Sequence, residues 1–509
     1  MKINIKIGLI SISLITAILA IAGYAGQEKL AKFGPLNPEF IQYLETLKSG
    51  KQQSFITPEG YRLGLIPAPV DVSYMKGMKV YSQNNVITLP SYYDLRSTGK
   101  VTAVRDQGGA GSCWAHGSYG SFESNLLPAE TWDFSEQNVK NLCSTTYSMY
   151  SEGFDRGYLD GGSHLMVVAY LARWSGPILE SDDPYVWNNG LSPMDKPIQK
   201  QVTDIDFLPD RANATDNDNI KTAIMLNGGV CSAYYHDLGS FYSGPYYNST
   251  TYAYYYNIAT STNHLITIVG WDDNFPASRF NTTPPGPGAF IIKNSWGTSW
   301  AENGYFYISY YDTVLGRTLY SNIQFRYASP TTTFGRIYQY DPFGLVNYSG
   351  YGTNIGWGAN IFTAVATDTI IAVSTYALSP NTSYELYVYT VANSGPSSGT
   401  LASSKSGTIP IAGYHTISLD TPVSVSPGTK FSVVIKYTTP GLNYPIPIEY
   451  PISGYSSKAA AHPGESYISA TGSSWTDDIG QTYNANCCIK ALTQFAVQVT
   501  NVDNWQLYQ

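Results

Sequence analysis

Val104-Arg-Asp-Gln-Gly-Gly-Ala-Gly-Ser-Cys-Trp-Ala-His-Gly-Ser-Tyr-Gly-Ser-Phe-Glu-Ser-Asn-Leu-Leu127 is the stretch from which the rest of the chain is read. Its front half is too rich in glycine for a helix. From Ser112 the apolar positions Ala115, Tyr119, Phe122 and Leu126 step by 4, 3 and 4, one face of a helix that Pro128 ends. Cys113 therefore sits in the first turn, where unpaired amides and the positive end of the helix dipole favour thiolate over thiol. A thiolate so placed is a nucleophile in waiting. The same placement also suits a buried Cys that packs as a small hydrophobe.

The histidines weigh in favour of chemistry. A thiolate that attacks an amide needs an imidazole to stabilise it and to protonate the leaving amine, and donors for the oxyanion that forms. The chain has six His. His415 and His462 fall in a region of different composition, and His164 and His236 lie in undistinguished contexts. His116, on the same helix as Cys113, reads as a packing or rim residue. His264 heads Asn263-His-Leu-Ile-Thr-Ile-Val-Gly270, an apolar run of strand type that holds its ring at the mouth of a rigid element. A second strand, Ala289-Phe-Ile-Ile-Lys293, delivers Asn294-Ser-Trp-Gly297. An Asn side-chain oxygen can hold an imidazole in one tautomer, and Trp296 can shield that bond from water.

Composition bounds the rest. The chain has 509 residues, a formal net charge of −8, 13% charged residues, 44 Tyr and 5 Cys. The length permits two to four domains at roughly 150 residues each. The acidic balance gives no electrostatic reason to expect a nucleic-acid partner. Five Cys are too few for a disulfide-built scaffold or a multi-zinc array, and no metal or cofactor is expected.

The N-terminus reads as an export signal over 1–25. Lys2 and Lys6 precede the apolar stretch Ile7 to Ala22, with a cleavage site near Ala22 or Ala25. Sequons at Asn213, Asn248, Asn281, Asn347 and Asn381 fit an exported protein. Residues 26–88 show one helical spacing, Pro38 to Lys48, and an extended Ile66-Pro-Ala-Pro-Val70, without an obvious compact core. Helix and strand signals mix from Leu89 to about Tyr311. Ser329-Pro-Thr-Thr-Thr-Phe334 then marks a boundary, giving units at 89–328 and 329–509. The second unit has 15 charged residues in 181, and short alternating runs such as Glu385-Leu-Tyr-Val-Tyr389 are separated by turn formers. That is the pattern of an antiparallel β-sandwich.

Residues 89–311 resemble the papain-like (cathepsin-like) cysteine peptidases. Four blocks match in order: Leu89-Pro-Ser-Tyr-Tyr-Asp-Leu-Arg96, Gln107 to Ala115, Asn263-His264 with Val269-Gly-Trp271, and Ile291 to Phe306. Two weaker blocks fit between them, Phe134-Ser-Glu-Gln137 leading to Cys143, and Asp160-Gly-Gly162 followed by Asp183-Pro-Tyr185. The resemblance implies an α+β papain-like fold, a helical half beside a β-barrel-like half. It also implies Cys113 as nucleophile, His264 as its ion-pair partner and general acid/base, and Asn294 as the group that orients His264. The Gln107 side chain and the Cys113 amide would form the oxyanion hole, and Gly161, Gly162 and Trp296 would line the substrate cleft. The C-terminal unit resembles the lectin-like β-sandwich found beside such peptidases, on Gly399 to Ser404 and Cys488 to Leu492.

The chain departs from the family pattern at several points. Ala110 replaces the Cys expected three positions before the nucleophile, and His116 stands where an apolar residue is usual. Asp272 to Gly288 looks like a loop insertion near the site. Setting Cys113 aside leaves Cys143, Cys231, Cys487 and Cys488, an even number open to three disulfide pairings.

The resulting expectation is a secreted or cell-surface cysteine peptidase made as a zymogen, with Ile66 to Val70 and its surroundings lying through the cleft. Its partners would be protein or peptide substrates, with a cell-surface glycan or protein contact open to the C-terminal unit and membrane contact only if the N-terminal segment stays uncleaved. Two other readings share the residues: an inactive papain-fold surface or carbohydrate-binding protein, and a thiol acyltransferase or amidase.

Overall fold

The computed structural model describes residues 30–50, 55–81, 87–146, 152–317, 322–475 and 477–495. The expected export signal lies outside them. The first helix among the described residues, α1 (Pro38–Lys48), starts where the sequence spacing places it. The Asn37 side chain accepts from the Glu39 amide at 2.9 Å, Pro38 takes the first helical position, and Phe40 points into the core.

Three further helices form the helical half: α2 (Cys113–Leu126), α3 (Glu136–Leu142) and α4 (His164–Ala172). Every residue of α2 except Asn125 is buried. The sequence showed one apolar face, yet this helix is covered on all sides. Besides the buried His116 and Glu123, its non-apolar positions are mostly small Ser and Gly, which let neighbours approach closely. A Cβ at Gly117 would come within 2.6 Å of the Leu265 side chain, and one at Gly120 within 2.4 Å of Thr267 Oγ1. These two glycines weaken the helix by roughly 1 kcal/mol each. In return α2 lies directly against the strand that begins with His264.

That strand belongs to an almost wholly antiparallel sheet. Its members here are β1 (Lys200–Phe207), β2 (Val230–Tyr234), β3 (His264–Asp272), β4 (Ala289–Lys293), β5 (Tyr305–Ser309) and β6 (Ile323–Pro330). β1 and β2 flank β6, and β2, β3, β4 and β5 follow in that order. β3 pairs with β4 so that Asp272 faces Ala289 and Thr267 faces Lys293. The turn between them, 273–288, therefore sits at the far end of β3. With about 3.3 Å per residue, that is roughly 26 Å from His264. The expected insertion beside the site is thus displaced from it. It packs Phe275 and Phe280 against Ala253 and Tyr255 instead.

The sheet does not stop at the end of the papain-like part. β7 (Asp368–Ala377) and β8 (Gly413–Val425) extend it, with Gly413, Tyr414 and His415 of β8 pairing with Asp206, Ile205 and Asp204 of β1. A second antiparallel sheet, including 355–363, 382–390, 400–409 and 430–438, closes the C-terminal sandwich over a core of Val373, Leu386, Val433, Ile435 and Ile489. One short helix, Ile479–Tyr483, interrupts this otherwise all-β region.

Two expectations are corrected. The segment before Leu89 does contribute a core: Phe40, Ile66, Ala68, Val70, Val72 and Met75 are buried in one cluster with residues of the helical half and the sandwich. Lys32–Phe33 also pairs with Asn347–Gly350 of the sandwich. The five Cys are all free and buried, so no disulfide forms among them. The four outside α2 are held in separate surroundings: Cys143 faces the Met166 carbonyl, Cys231 faces Ser118, Cys487 faces Tyr467 and Cys488 faces Gly344. Successive side chains on a strand point to opposite faces, which separates Cys487 from Cys488. Of the sequon positions, Asn347 is buried and its amide turns inward to the Gly34 carbonyl, so it offers no acceptor for a glycan.

Candidate active site

Cys113 opens α2 and is fully buried. The N-cap residue, Ser112, does not cap the helix with its hydroxyl, which pairs with the Tyr185 hydroxyl at 2.6 Å. The first-turn amides of Cys113 and Trp114 are thereby left for the sulfur, and together with backbone hydrogen bonds at Leu265 of β3 and Gly64 of the N-terminal segment they favour its thiolate. Burial outweighs them and pushes the thiol up to about 11.

His264 begins β3, and Asn294 follows the last residue of β4. The two rigid strand ends bring His264 Nε2 to 2.8 Å from Asn294 Oδ1. Nε2 is the donor in that bond, which leaves Nδ1 as the basic nitrogen; Nδ1 is buried without a hydrogen-bond partner among the described residues. Trp296 is fully buried, with its ring 4.9 Å from the imidazole. Burial holds His264 down to about 4, against the upward pull of the Asn294 bond and with the His116 ring adding a smaller downward push. In this covered state both Cys113 and His264 are neutral.

Gln107 stands next to them. Its Oε1 accepts from the Ser295 hydroxyl at 2.7 Å, which fixes the amide so that Nε2 donates to the carbonyls of Ala110 (3.0 Å) and Arg62 (2.9 Å). The main chain here is held by the Tyr185 hydroxyl, which donates to the Gln107 carbonyl at 2.8 Å. Gly161 and Gly162 form the opposite rim. Arg156, buried and 4.9 Å over the Trp114 ring, donates to the carbonyls of Asp160, Gly161 and Lys140 and so braces that rim. The missing disulfide at Ala110 has a backbone substitute, the Gly111 amide donating to the Leu159 carbonyl at 2.9 Å.

All seven expected site residues, Cys113, His264, Asn294, Gln107, Gly161, Gly162 and Trp296, thus converge on one cleft. Sequence reading missed Arg156, Tyr185 and Ser295. Tyr185 and Ser295 lie inside quoted blocks but without a stated role, and Arg156 carries no local signal. His116 is packed inside, not on a rim, with its ring edge against Tyr185 at 4.9 Å. His236 is buried against Trp296, its ring centroid 4.9 Å away. Among the described residues no group of three or more His, Cys, Asp or Glu is arranged to hold a metal ion.

The cleft is occupied by the chain's own N-terminal segment. Residues 61–66 cross it, with the Tyr61 ring stacked 5.5 Å from Trp296 and Arg62 beside Gln107 and Asp160. Gly162 donates to the Gly64 carbonyl at 2.9 Å and accepts from the Ile66 amide at 2.8 Å, a parallel pairing. The Leu65 amide reaches the Asn263 carbonyl at 3.2 Å. The covering residues lie just before the Ile66 to Val70 stretch and include its first member.

Comparison with known proteins agrees with this geometry. Residues 89–318 match the family described as papain family cysteine protease, and residues 337–493 match the lectin like domain. The chain is 30% identical to cathepsin J of Mus musculus over 241 residues, 45% of this chain and 63% of that protein. It is 29% identical to the viral cathepsin of Heliothis zea nuclear polyhedrosis virus over 43% of this chain and 52% of that protein. It thus spans less than two thirds of these curated relatives. The crystal structure of the cysteine protease and lectin-like domains of Cwp84, a surface layer associated protein of Clostridium difficile, superposes with a TM-score of 0.75. The identity is 26%, covering 92% of this chain and all of that one. The same Clostridium protease after propeptide cleavage gives a TM-score of 0.69 at 28% identity, over 80% of this chain. The chain carries a papain-family cysteine protease domain followed by a lectin-like domain.

Proposed function

We propose that the protein is an exported cysteine peptidase, synthesised as a zymogen, that hydrolyses peptide bonds through Cys113. The observation that carries this reading is the arrangement of Cys113 at a helix N-terminus, His264 held by Asn294 at 2.8 Å, and Gln107 with its amide donor turned into the same cleft. Once the covering segment leaves, water and substrate reach the pair, and the desolvation that keeps both groups neutral is relieved. The proton then moves from Cys113 to His264 Nδ1, giving thiolate and imidazolium.

The thiolate attacks the substrate carbonyl carbon. The Gln107 Nε2–H and the Cys113 amide stabilise the oxyanion. His264 hands its proton to the leaving nitrogen, the C–N bond breaks and a thioester remains. His264 then takes a proton from water as the water attacks the thioester, which releases the acid and restores the thiol. Asn294 keeps the imidazole in the tautomer both steps require. Gly162 offers its amide and carbonyl to an extended peptide backbone.

The zymogen reading rests on residues 61–66. In this reading the Arg62 carbonyl takes the Gln107 donor that the oxyanion needs, and Gly64 covers the sulfur. Release requires cleavage of the chain before the papain-like domain, near Leu89. The division into units at 89–328 and 329–509 is part of the same proposal, as is a surface location like that stated for the Clostridium protein.

Digestion of a denatured protein under reducing conditions, by the processed chain and by Cys113→Ala, tests this function. Degradation by the first alone supports it. Equal degradation by both contradicts it, and degradation by neither contradicts it and leaves the surface-binding reading. Release of small amides or acyl transfer to amines without peptide cleavage favours the acyltransferase or amidase reading.

A further inference from the structure

We propose that His116 is a positioning residue for the Asn294–His264 pair, linked to Asn294 through one internal water molecule in a cavity beside the nucleophile helix. The inference rests on the peptidase reading above, and it begins from a polar residue where the family resemblance leads one to expect an apolar one. His116 Nδ1 lies 3.0 Å from the Ser112 carbonyl. A carbonyl can only accept, so the neutral ring carries its proton on Nδ1 and turns the Nε2 lone pair elsewhere. Nε2 is buried and has no hydrogen-bond partner among the described residues.

Two other atoms share that condition. Asn294 Oδ1 is committed to His264 and to the Ser295 amide, while Asn294 Nδ2 is buried without a partner. Glu136 Oε2 is likewise unpartnered. His116, Asn294 and Glu136 all line one cavity of about 10 Å3, walled also by Glu123, Lys293 and Ser295. A space of that size takes about one water, and a buried water needs two to four polar partners. Here Asn294, His116 and Glu136, each with a buried unpartnered polar atom, line the same space. The water accepts from Asn294 Nδ2–H and donates to His116 Nε2, with Glu136 as the third partner.

The consequence is orientational. Oxygen and nitrogen of an Asn amide are similar in shape, so Asn294 can serve His264 only if its two ends are told apart. The Ser295 amide does this at Oδ1, and the water bond on Nδ2 adds a second restraint of the same sense, holding the amide plane in which Oδ1 faces His264. Burial holds His116 down to about 4, with the Ser112 carbonyl and Asp106 acting upward and Arg105 and Lys293 downward, so its acceptor is present at neutral pH.

The test compares His116→Phe and His116→Gln in the processed protein, with active sites counted by a covalent thiol inhibitor. Phe fills the space without an acceptor; Gln keeps an oxygen that can take the water's proton. The expected result is a kcat per active site about threefold to tenfold lower for His116→Phe, an unchanged KM, and recovery of most of the loss in His116→Gln. A kcat per active site within twofold of wild type for His116→Phe, or no recovery with Gln, overturns the proposal. A merely structural His116 would lower the number of active sites and the melting temperature but not kcat per site. A high-resolution crystal structure of the wild-type protein decides the point even if the variants do not fold: a water bonded to Asn294 Nδ2 and His116 Nε2 supports it, and a dry cavity overturns it. Failure of the peptidase reading is seen separately, as wild-type protein that cleaves nothing.

Discussion

The side-chain amide of Gln107 donates to the main-chain carbonyl of Arg62 at 2.9 Å, so a residue of the domain that would do chemistry is held by a residue of the segment that precedes it. The bond is directional because Ser295 fixes the other end of the Gln107 amide. An oxyanion would ask for the same donor.

Gln107→Ala in the processed chain is expected to lower kcat about a hundredfold with little change in KM, because the lost donor acts mainly on the charge that develops in the transition state. Steady-state kinetics on a peptide substrate check this. A loss confined to KM would place Gln107 in ground-state binding instead.

Gly64 lies where the covering segment passes closest to the rim of the site. A Cβ there would come within 2.1 Å of the Gly111 carbonyl oxygen, a main-chain atom that cannot step aside. Gly64→Val is therefore expected to lift the segment and make the uncut protein leaky. Alkylation of Cys113 in the precursor should speed up at least tenfold. The processed enzyme, which lacks residue 64, should be unaffected.

The pH dependence of that alkylation should differ between the two forms. Burial raises the Cys113 thiol to about 11 in the covered chain, so its thiolate population at neutral pH is small and grows with every unit of pH up to that value. Compared with a thiol left at 9.0, the thiolate fraction at pH 8 is lower by about a hundredfold. After processing, an imidazolium partner should give a reactive thiolate already at neutral pH, seen as a plateau in the rate of alkylation by iodoacetamide. A single steep rise at alkaline pH in both forms would contradict the ion pair.

The seam between the two domains is also open to test. Arg326 reaches Asp204 at 3.2 Å and the fully buried Asp206 at 3.1 Å, next to the β1–β8 pairing, where His415 meets Asp204 at 3.0 Å. Arg326→Ala leaves the Asp206 carboxyl buried without its cation, at a cost of about 3 kcal/mol. Differential scanning calorimetry should show Tm lower by about 3 °C. Because one sheet runs through both domains, the wild type should unfold in one transition; two well-separated transitions would contradict that continuity.

Much of this site was legible because its chemistry lies in short segments with local signals. The helix start at Cys113, the strand headed by His264 and the strand end that delivers Asn294 each follow from spacing within about ten residues. What was not legible depends on where distant segments meet. Arg156 braces the glycine rim from a loop of unremarkable sequence, and Tyr185 binds main-chain atoms far from it in the chain. The 273–288 turn is near His264 in sequence, but a straight strand carries it to the opposite end. The disulfide expectation failed because an even count says nothing about proximity, and the four Cys occupy separate surroundings. The N-terminal segment has no core pattern of its own in the sequence because its apolar residues are buried in one cluster with residues of the two domains.

The most direct test is mass spectrometry of the protein treated with a peptidyl epoxide that reacts only with activated thiols, before and after cleavage near Leu89. The expected result is one adduct, on Cys113, formed at least ten times faster after cleavage, with loss of peptide hydrolysis in proportion to labelling. An equal rate before and after cleavage, or hydrolysis that persists with Cys113 fully labelled, would contradict a covered Cys113 nucleophile.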